Sequence, residues 1–134
     1  MKDAGFYENK LSLNVVFRQK PSGVTEESKE LFDCVSGKIG KAEIVYLIYV
    51  EFPNWNYLTY VSDKDRRTLC FDGFSWGYGG EGPSGLGWLF GKLGFEIDDV
   101  QIESWANEPG CIGVQPDGLS AALVMMGQVE RSDT

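Results

Sequence analysis

The feature that most limits the folds open to this chain is the segment 71–95, FDGFSWGYGGEGPSGLGWLFGKLGF, in which five of the eleven residues at 76–86 are glycine. Glycine loses more backbone entropy on ordering than any other residue and offers no side chain to bury, so no helix or strand interior accommodates that density. The stretch is therefore a turn of defined shape, and Trp76 and Tyr78 are large enough to pin it by burial. Beyond it, Pro83 has its φ preset for a first helical position, and Leu86, Leu89, Phe90 and Leu93 fall at i, i+3, i+4 and i+7. That spacing predicts a helix with one apolar face. Gly94 suits the left-handed residue that ends it, and Lys92 suits the negative end of its dipole.

Ahead of this element the chain reads as alternating short strands and one helix. Residues 1–10 form a polar lead, and 11–18 alternate, with Leu11, Leu13, Val15 and Phe17 on one side of a strand. Pro21, Ser22 and Gly23 break that strand. Thr25 is then placed to cap a helix whose first turn holds Glu26 and Glu27, whose apolar residues are Leu31, Phe32 and Val35, and which Gly37 stops. Residues 42–52 are almost all β-branched or aromatic on both faces, which predicts a central strand. A turn at 53–56 with Trp55 exposed at its tip returns the chain as a partner strand at 57–61, and a charged turn at 63–67 leads to another at 68–71.

After the Pro83 helix, Val100, Ile102 and Trp105 alternate with polar residues, predicting an edge strand. A short strand is expected at 111–114; in 119–129, Leu119, Ala122, Leu123 and Met126 fit helical spacing while 122–126 also reads as a buried strand, and helix is the preferred of the two. The expected fold is a single α+β domain over residues 1–134, an antiparallel meander with two or three helices packed on it. A chain of 134 residues, 43% of them hydrophobic, is large enough for a core without metal or disulfide staples. No apolar run of membrane-spanning length occurs and the first ten residues lack an apolar signal region, so the expected setting is cytosolic. Cys34, Cys70 and Cys111 have no metal-ligand spacing and are read as buried thiols.

The net charge of −8 argues against nucleic acid, because neutralising phosphates needs a basic footprint. Its distribution is more informative than its size. Residues 1–94 carry 12 acids against 11 bases, whereas residues 95–134 carry eight acids against Arg131 alone. An acidic face of that kind steers a basic partner toward it. The chain contains no histidine, and so lacks both the commonest proton-transfer group near neutral pH and the Ser-His and Cys-His nucleophile arrangements. No catalytic residue, metal site or cofactor is therefore expected; the acids Glu96, Asp98, Asp99 and Glu103 lack the ligand spacing of a calcium loop.

Glycines 77, 79 and 82 also spell G-x-G-x-x-G ahead of a helix, the arrangement that cradles phosphates. No Lys-Ser or Lys-Thr follows, and Glu81 itself occupies the positive helix end, so a structural turn is the stronger reading. The run Trp76, Gly77, Tyr78, Gly79, Gly80, Glu81, Gly82, Pro83 resembles a family of small phage and mobile-element proteins with the pattern W-G-Y-G-G-S-G-P-A-Q-L-A. Leu86 also fits; Glu81 replaces the serine, Ser84 and Gly85 replace the Ala-Gln pair, and Gly87 replaces the last alanine. The likeness covers roughly a tenth to a fifth of the chain and implies a mobile-element or accessory setting, with no substrate.

Two functions follow as expectations. In size, acidity and cytosolic character the chain resembles the small acidic immunity proteins that neutralise basic bacterial toxins such as nucleases. The partner-binding candidates are then Glu96, Asp98, Asp99, Glu103 and Glu108 with the aromatics Trp55, Tyr57 and Trp105, since aromatic anchors ringed by charge are a common hot-spot composition. The alternative is an accessory protein that sequesters a small, nucleotide-like ligand at Trp76, Tyr78, Gly79, Gly80 and Glu81.

Overall fold

The computed structural model describes residues 2–51 and 54–123, with Leu123 described for its backbone alone. Along the chain run α1 (Ala4–Lys10), β1 (Asn14–Arg18), α2 (Thr25–Val35) with a 3-10 turn at Ser36–Lys38, β2 (Ala42–Val50), β3 (Asn56–Asp63) and β4 (Arg67–Phe71). Then follow α3 (Glu81–Leu93), α4 (Asp99–Ser104), β5 (Gly110–Val114) and β6 (Ser120–Leu123). The six strands form one sheet in the order β1-β4-β3-β2-β5-β6. β2, β3 and β4 are the expected meander; β5 pairs antiparallel with β2, and β1 joins the far edge parallel to β4. The fold is thus α+β with a mostly antiparallel sheet, and among the described residues no helix is long and apolar enough to cross a membrane.

β2 lies at the centre and is buried on both sides, as its two-faced apolar composition requires. Val45 and Leu47 point into the larger core with Val61, Leu69, Phe71 and Val114, while Tyr46, Ile48 and Val50 point into the smaller one with Tyr60, Cys70 and Cys111. Phe32 and Val35 of α2, Leu86, Leu89 and Phe90 of α3, and Ile102 of α4 cover the first face. Tyr7 of α1 covers the second. α3 ends as expected, at Gly94 with φ +77° and its N–H donating to the Gly91 and Phe90 carbonyls. It begins two residues earlier than expected, at Glu81, with Gly80 as its N-cap.

Several expectations are corrected. The supposed polar lead contains α1, because the Asp3 carboxylate accepts from Phe6 N at 3.0 Å and caps it. Glu8 of α1 then takes a bidentate contact from Arg18 at 2.7 and 2.9 Å and the Tyr60 hydroxyl at 2.6 Å, fixing α1 to the sheet. Val15 and Phe17 do not share a face. Two β1 residues oppose one β4 residue between them, and this bulge sends Val15 to the smaller core and Phe17 to the larger. Thr25 does not cap α2; it is the first helical residue, and its hydroxyl donates to the Gly73 carbonyl at 2.6 Å.

The expected edge strand at 100–105 is instead α4. Asp98 accepts from Gln101 N at 2.9 Å while the Gln101 side chain accepts from Asp98 N, a reciprocal cap that an Asp-x-x-Gln spacing offers. Val100 is therefore 75% exposed and Ile102 fully buried, on opposite sides where a strand would have aligned them. Residues 120–123 of the expected 119–129 helix are strand β6, and the rest of that segment lies outside the described residues. Cys70 and Cys111 are buried, and burial pushes both thiols up to about 12, whereas Cys34 is exposed.

Two buried polar groups generate predictions. Burial works to raise the Asp63 carboxyl, but the backbone N–H groups of Gly40, Arg67 and Asp65, together with the Arg67 guanidinium, outweigh it and hold Asp63 below the usual carboxylate range. A lowered folded-state value means that its stabilisation is complete above the unfolded-state value near 4 and is lost as pH falls below it. Asp63→Asn is expected to cost about 2 kcal/mol at pH 7 and progressively less at about pH 3, read from urea midpoints. The Thr59 hydroxyl is the one buried side-chain polar atom among the described residues with no hydrogen-bond partner. Replacing it with a methyl in Thr59→Val removes a desolvation penalty, and the expected gain is about 1 kcal/mol by the same measurement.

Candidate functional site

At the hairpin end of the sheet the aromatic residues form a continuous chain of contacts. Trp55 tilts against Tyr49 at 5.5 Å, Tyr49 stacks on Tyr57 at 4.5 Å, and Tyr57 meets Trp76 edge-on at 4.8 Å. Tyr78 lies 6.4 Å from Tyr57. These spacings are those at which ring quadrupoles attract. Trp76 is 1% exposed, and its indole N–H donates to the Ala106 carbonyl at 3.1 Å. The glycines of the turn make this docking possible. Gly77 has φ +89°, its N–H donates to the Ile102 carbonyl, and a Cβ there would lie 2.8 Å from the Trp105 carbonyl oxygen. A Cβ at Gly82 would collide with Ser75 Oγ, the atom that shares a 2.7 Å hydrogen bond with the Tyr78 hydroxyl.

Beside this ladder opens a cleft of about 630 Å³. Its walls come from Pro21 to Gly23 of the loop after β1, Asp72 to Ser75 after β4, Trp55 to Tyr57 of the hairpin, and Tyr78, Glu81 and Gly82 at the start of α3. A buried polar cluster fixes the first two walls. Gln19, 3% exposed, accepts from Ser28 Oγ at 2.6 Å and from Asp72 N at 3.0 Å, and its amide donates to Ser22 Oγ. Ser28 Oγ in turn accepts from Gly73 N at 2.9 Å. Asp72 closes the loop by accepting from Ser22 N and Gly23 N. Every group in the cluster that leaves water is thereby paired, which makes it rigid.

The structure redistributes the sequence-derived candidates. Trp55 and Tyr57 from the partner set share the cleft with Tyr78 and Glu81 from the ligand set. Trp55 is 63% exposed, whereas Tyr57 and Trp105, both expected on the surface, are half-buried. Trp105 and Glu108 line a different cavity of about 410 Å³ with Trp76, Tyr49 and Tyr7. Asp99 and Glu103, one turn apart on α4, line a small depression with Gly80 of the turn, and the Glu103 carboxylate lies next to Gly79. Asp98 is exposed and serves as the α4 cap, and Glu96 is exposed on the connection before it. Glu81, Asp99 and Glu103 thus surround the N-terminal end of α3, where its dipole favours negative charge.

Among the described residues the ion pairs are Glu8 with Arg18, Glu26 with Lys29, Asp63 with Arg67, and Asp33 with Lys92. None involves Asp72, Glu81 or an acid beyond residue 95. Among the described residues no Lys or Arg lines the cleft. The described residues also contain no group of three or more His, Cys, Asp or Glu side chains arranged to hold a metal ion. Sequence reasoning missed Asp72, Asn56 and the Gln19 cluster, since their meeting depends on β1 pairing with β4, a contact between segments some 50 residues apart that no local spacing signals. Comparisons with family models, curated proteins and solved structures give no match.

The tightest point of the cleft framework is Gly73. A Cβ there would collide with Ser28 Oγ and the Val24 carbonyl. Gly73→Ala is expected to cost about 2 kcal/mol through overpacking and loss of the Gly73 N to Ser28 hydrogen bond, seen as a lowered urea midpoint.

Proposed function

We propose that this protein is a non-catalytic, acidic protein-binding module that neutralises a basic partner, an immunity-type inhibitor of a basic toxin such as a nuclease. The observation that carries this reading is the cleft lined by Trp55, Tyr57 and Tyr78 together with Asp72 and Glu81, and by no cation among the described residues. Rigid aromatics that supply contact area at low entropic cost, set among carboxylates, are the composition of a hot spot for a positively charged surface. The acids of α4 extend the negative character from the cleft along the start of α3. Charge in that position acts mainly on the rate of encounter. The resemblance of the glycine-rich motif to phage and mobile-element proteins supports an accessory setting in which such inhibitors are carried.

The cleft volume, about 630 Å³, also lies in the range of small-molecule sites, which favours a second reading as a sequestering protein for a small ligand. A nucleotide-like ligand has less support than a neutral or cationic one. Glu81, Asp99 and Glu103 occupy the helix end that a phosphate would need.

The test is co-expression and titration with the basic product of the gene adjoining the one that encodes this chain. A complex is expected whose association slows steeply between about 0.05 M and about 0.5 M salt. The double variant Asp99→Lys, Glu103→Lys is expected to weaken it about tenfold at the lower salt, mostly in the association rate. A missing basic neighbour, no complex, or one indifferent to both salt and charge reversal would overturn the reading.

A further inference from the structure

We propose that the cleft is a receptor for a guanidinium group, and that an arginine side chain of the basic partner is its occupant; this rests on the protein-binding reading above and names the chemistry of its central contact. Three properties of the cleft select this cation. The first is the pairing of flat, accessible rings with carboxylates. Trp55 and Tyr78 are the large aromatic side chains in the lining that expose 63% and 45% of their surface, and both belong to the wall of the cleft. A delocalised guanidinium stacks on such faces while its edge N–H groups reach outward, which a compact, strongly hydrated ammonium does less well.

The second property is that the two carboxylates have different states of engagement. Asp72 is held in place because Oδ2 accepts from Ser22 N at 2.9 Å and Oδ1 from Gly23 N at 3.2 Å. Each oxygen retains a further lone pair for an incoming donor. Glu81 has no hydrogen-bond or ion-pair partner among the described residues and is itself exposed at the start of α3. A fixed acceptor and an uncommitted one fit the fork of five N–H donors that a guanidinium presents. The third property is the placement of the remaining polar atoms. Asn56 lies in the same lining, its amide N–H donating to the Asn54 carbonyl, so its side-chain oxygen remains available as an acceptor. The positive end of α3 would oppose a cation, and Glu81 in its first turn offsets that charge.

The cleft is also larger than a guanidinium. A volume of about 630 Å³ accommodates the whole arginine side chain with the backbone that flanks it. The buried Gln19, Ser28 and Gly73 cluster holds one wall in shape before anything binds, so little ordering remains at the moment of association.

The experiment titrates the full chain with L-argininamide and follows the Trp55 indole signal and backbone amides by heteronuclear NMR. L-citrullinamide, the isostere with a neutral side chain, and L-lysinamide are the controls. Saturable shifts confined to the cleft are expected with argininamide, about tenfold weaker binding with citrullinamide, and several-fold weaker binding with lysinamide. Glu81→Gln and Trp55→Ala, both at exposed positions, are each expected to weaken argininamide binding about fivefold while the variants stay folded, with amide shifts outside the cleft and its immediate neighbours unchanged. Absence of saturable shifts up to about 0.1 M argininamide, or citrullinamide binding equally well, would overturn the proposal. If the basic partner binds while argininamide does not, this inference fails and the protein-binding reading stands. If argininamide binds while no basic partner does, the guanidinium specificity of the cleft stands, and the assignment of its occupant to a partner protein is overturned together with the protein-binding reading.

Discussion

A central strand that is apolar on both sides has to be covered twice, and that constraint organises the molecule. β2 sends Val45 and Leu47 one way and Tyr46, Ile48 and Val50 the other, so a sheet with one solvated face is excluded. The larger face receives α2, α3 and α4; the smaller is closed by α1, seven residues long and fastened by Glu8 to Arg18 and Tyr60. Seven residues make a marginal helix alone, which is why its attachment is a charged, bidentate contact and a buried Tyr7. At the hairpin end Tyr49 and Tyr57 are packed by Trp55, Trp76 and Tyr78, which come from the hairpin and from the glycine-rich turn.

The turn therefore has two roles at once. Trp76 faces inward and closes the core, and the glycines around it remove the side chains that would hold the turn away from α4. Tyr78, two residues on, faces the cleft and is steadied by Ser75. Packing explains why Trp76 and Gly77 have to be what they are, but it does not explain why a large aromatic at 78 is left half in water. Exposed rings beside carboxylates lower the cost of desolvating a cation without requiring the cleft to be dry.

Much of the architecture could be read from the sequence because it rests on local chemistry. The α3 spacing, its Gly94 stop, the two-sided β2 and the β2 to β3 hairpin all follow from residue types within one element. The failures have a common cause in short segments where a side-chain cap outweighs periodicity. Val100 and Ile102 alternate like a strand, yet the Asp98 to Gln101 cap makes a helix, and Asp3 does the same for Phe6 and Tyr7. The β1 bulge was equally hidden, since nothing in Val15, Val16 and Phe17 marks which residue will be extra. For the site, the sequence supplied Trp55, Tyr57, Tyr78 and Glu81 but divided them between two hypotheses. Their meeting depends on how the hairpin tip and the turn pack around Tyr57, and the Asp72 wall on the parallel β1 to β4 contact, neither of which is encoded at short range.

On the proposed reading, the placement of the acids reconciles stability with binding. Carboxylates intended for a partner would ordinarily repel one another in the free protein, or be drawn to the chain's own lysines and lose their effect. Around α3 the backbone provides an alternative. Asp98 accepts from the Gln101 N–H, and Glu81 and Asp99 stand in the first turns of α3 and α4, where peptide groups that carry no net charge favour a carboxylate and do not cancel its field beyond the first turn. A cation approaching from solution thus meets carboxylates whose self-repulsion is partly offset yet whose charge is undiminished. The same acids at the other end of α3 would destabilise it; Lys92 stands there, paired with Asp33 and facing the ring of Trp88. α3 thus carries Glu81 at its positive end and Lys92 at its negative end, and the cleft opens beside Glu81.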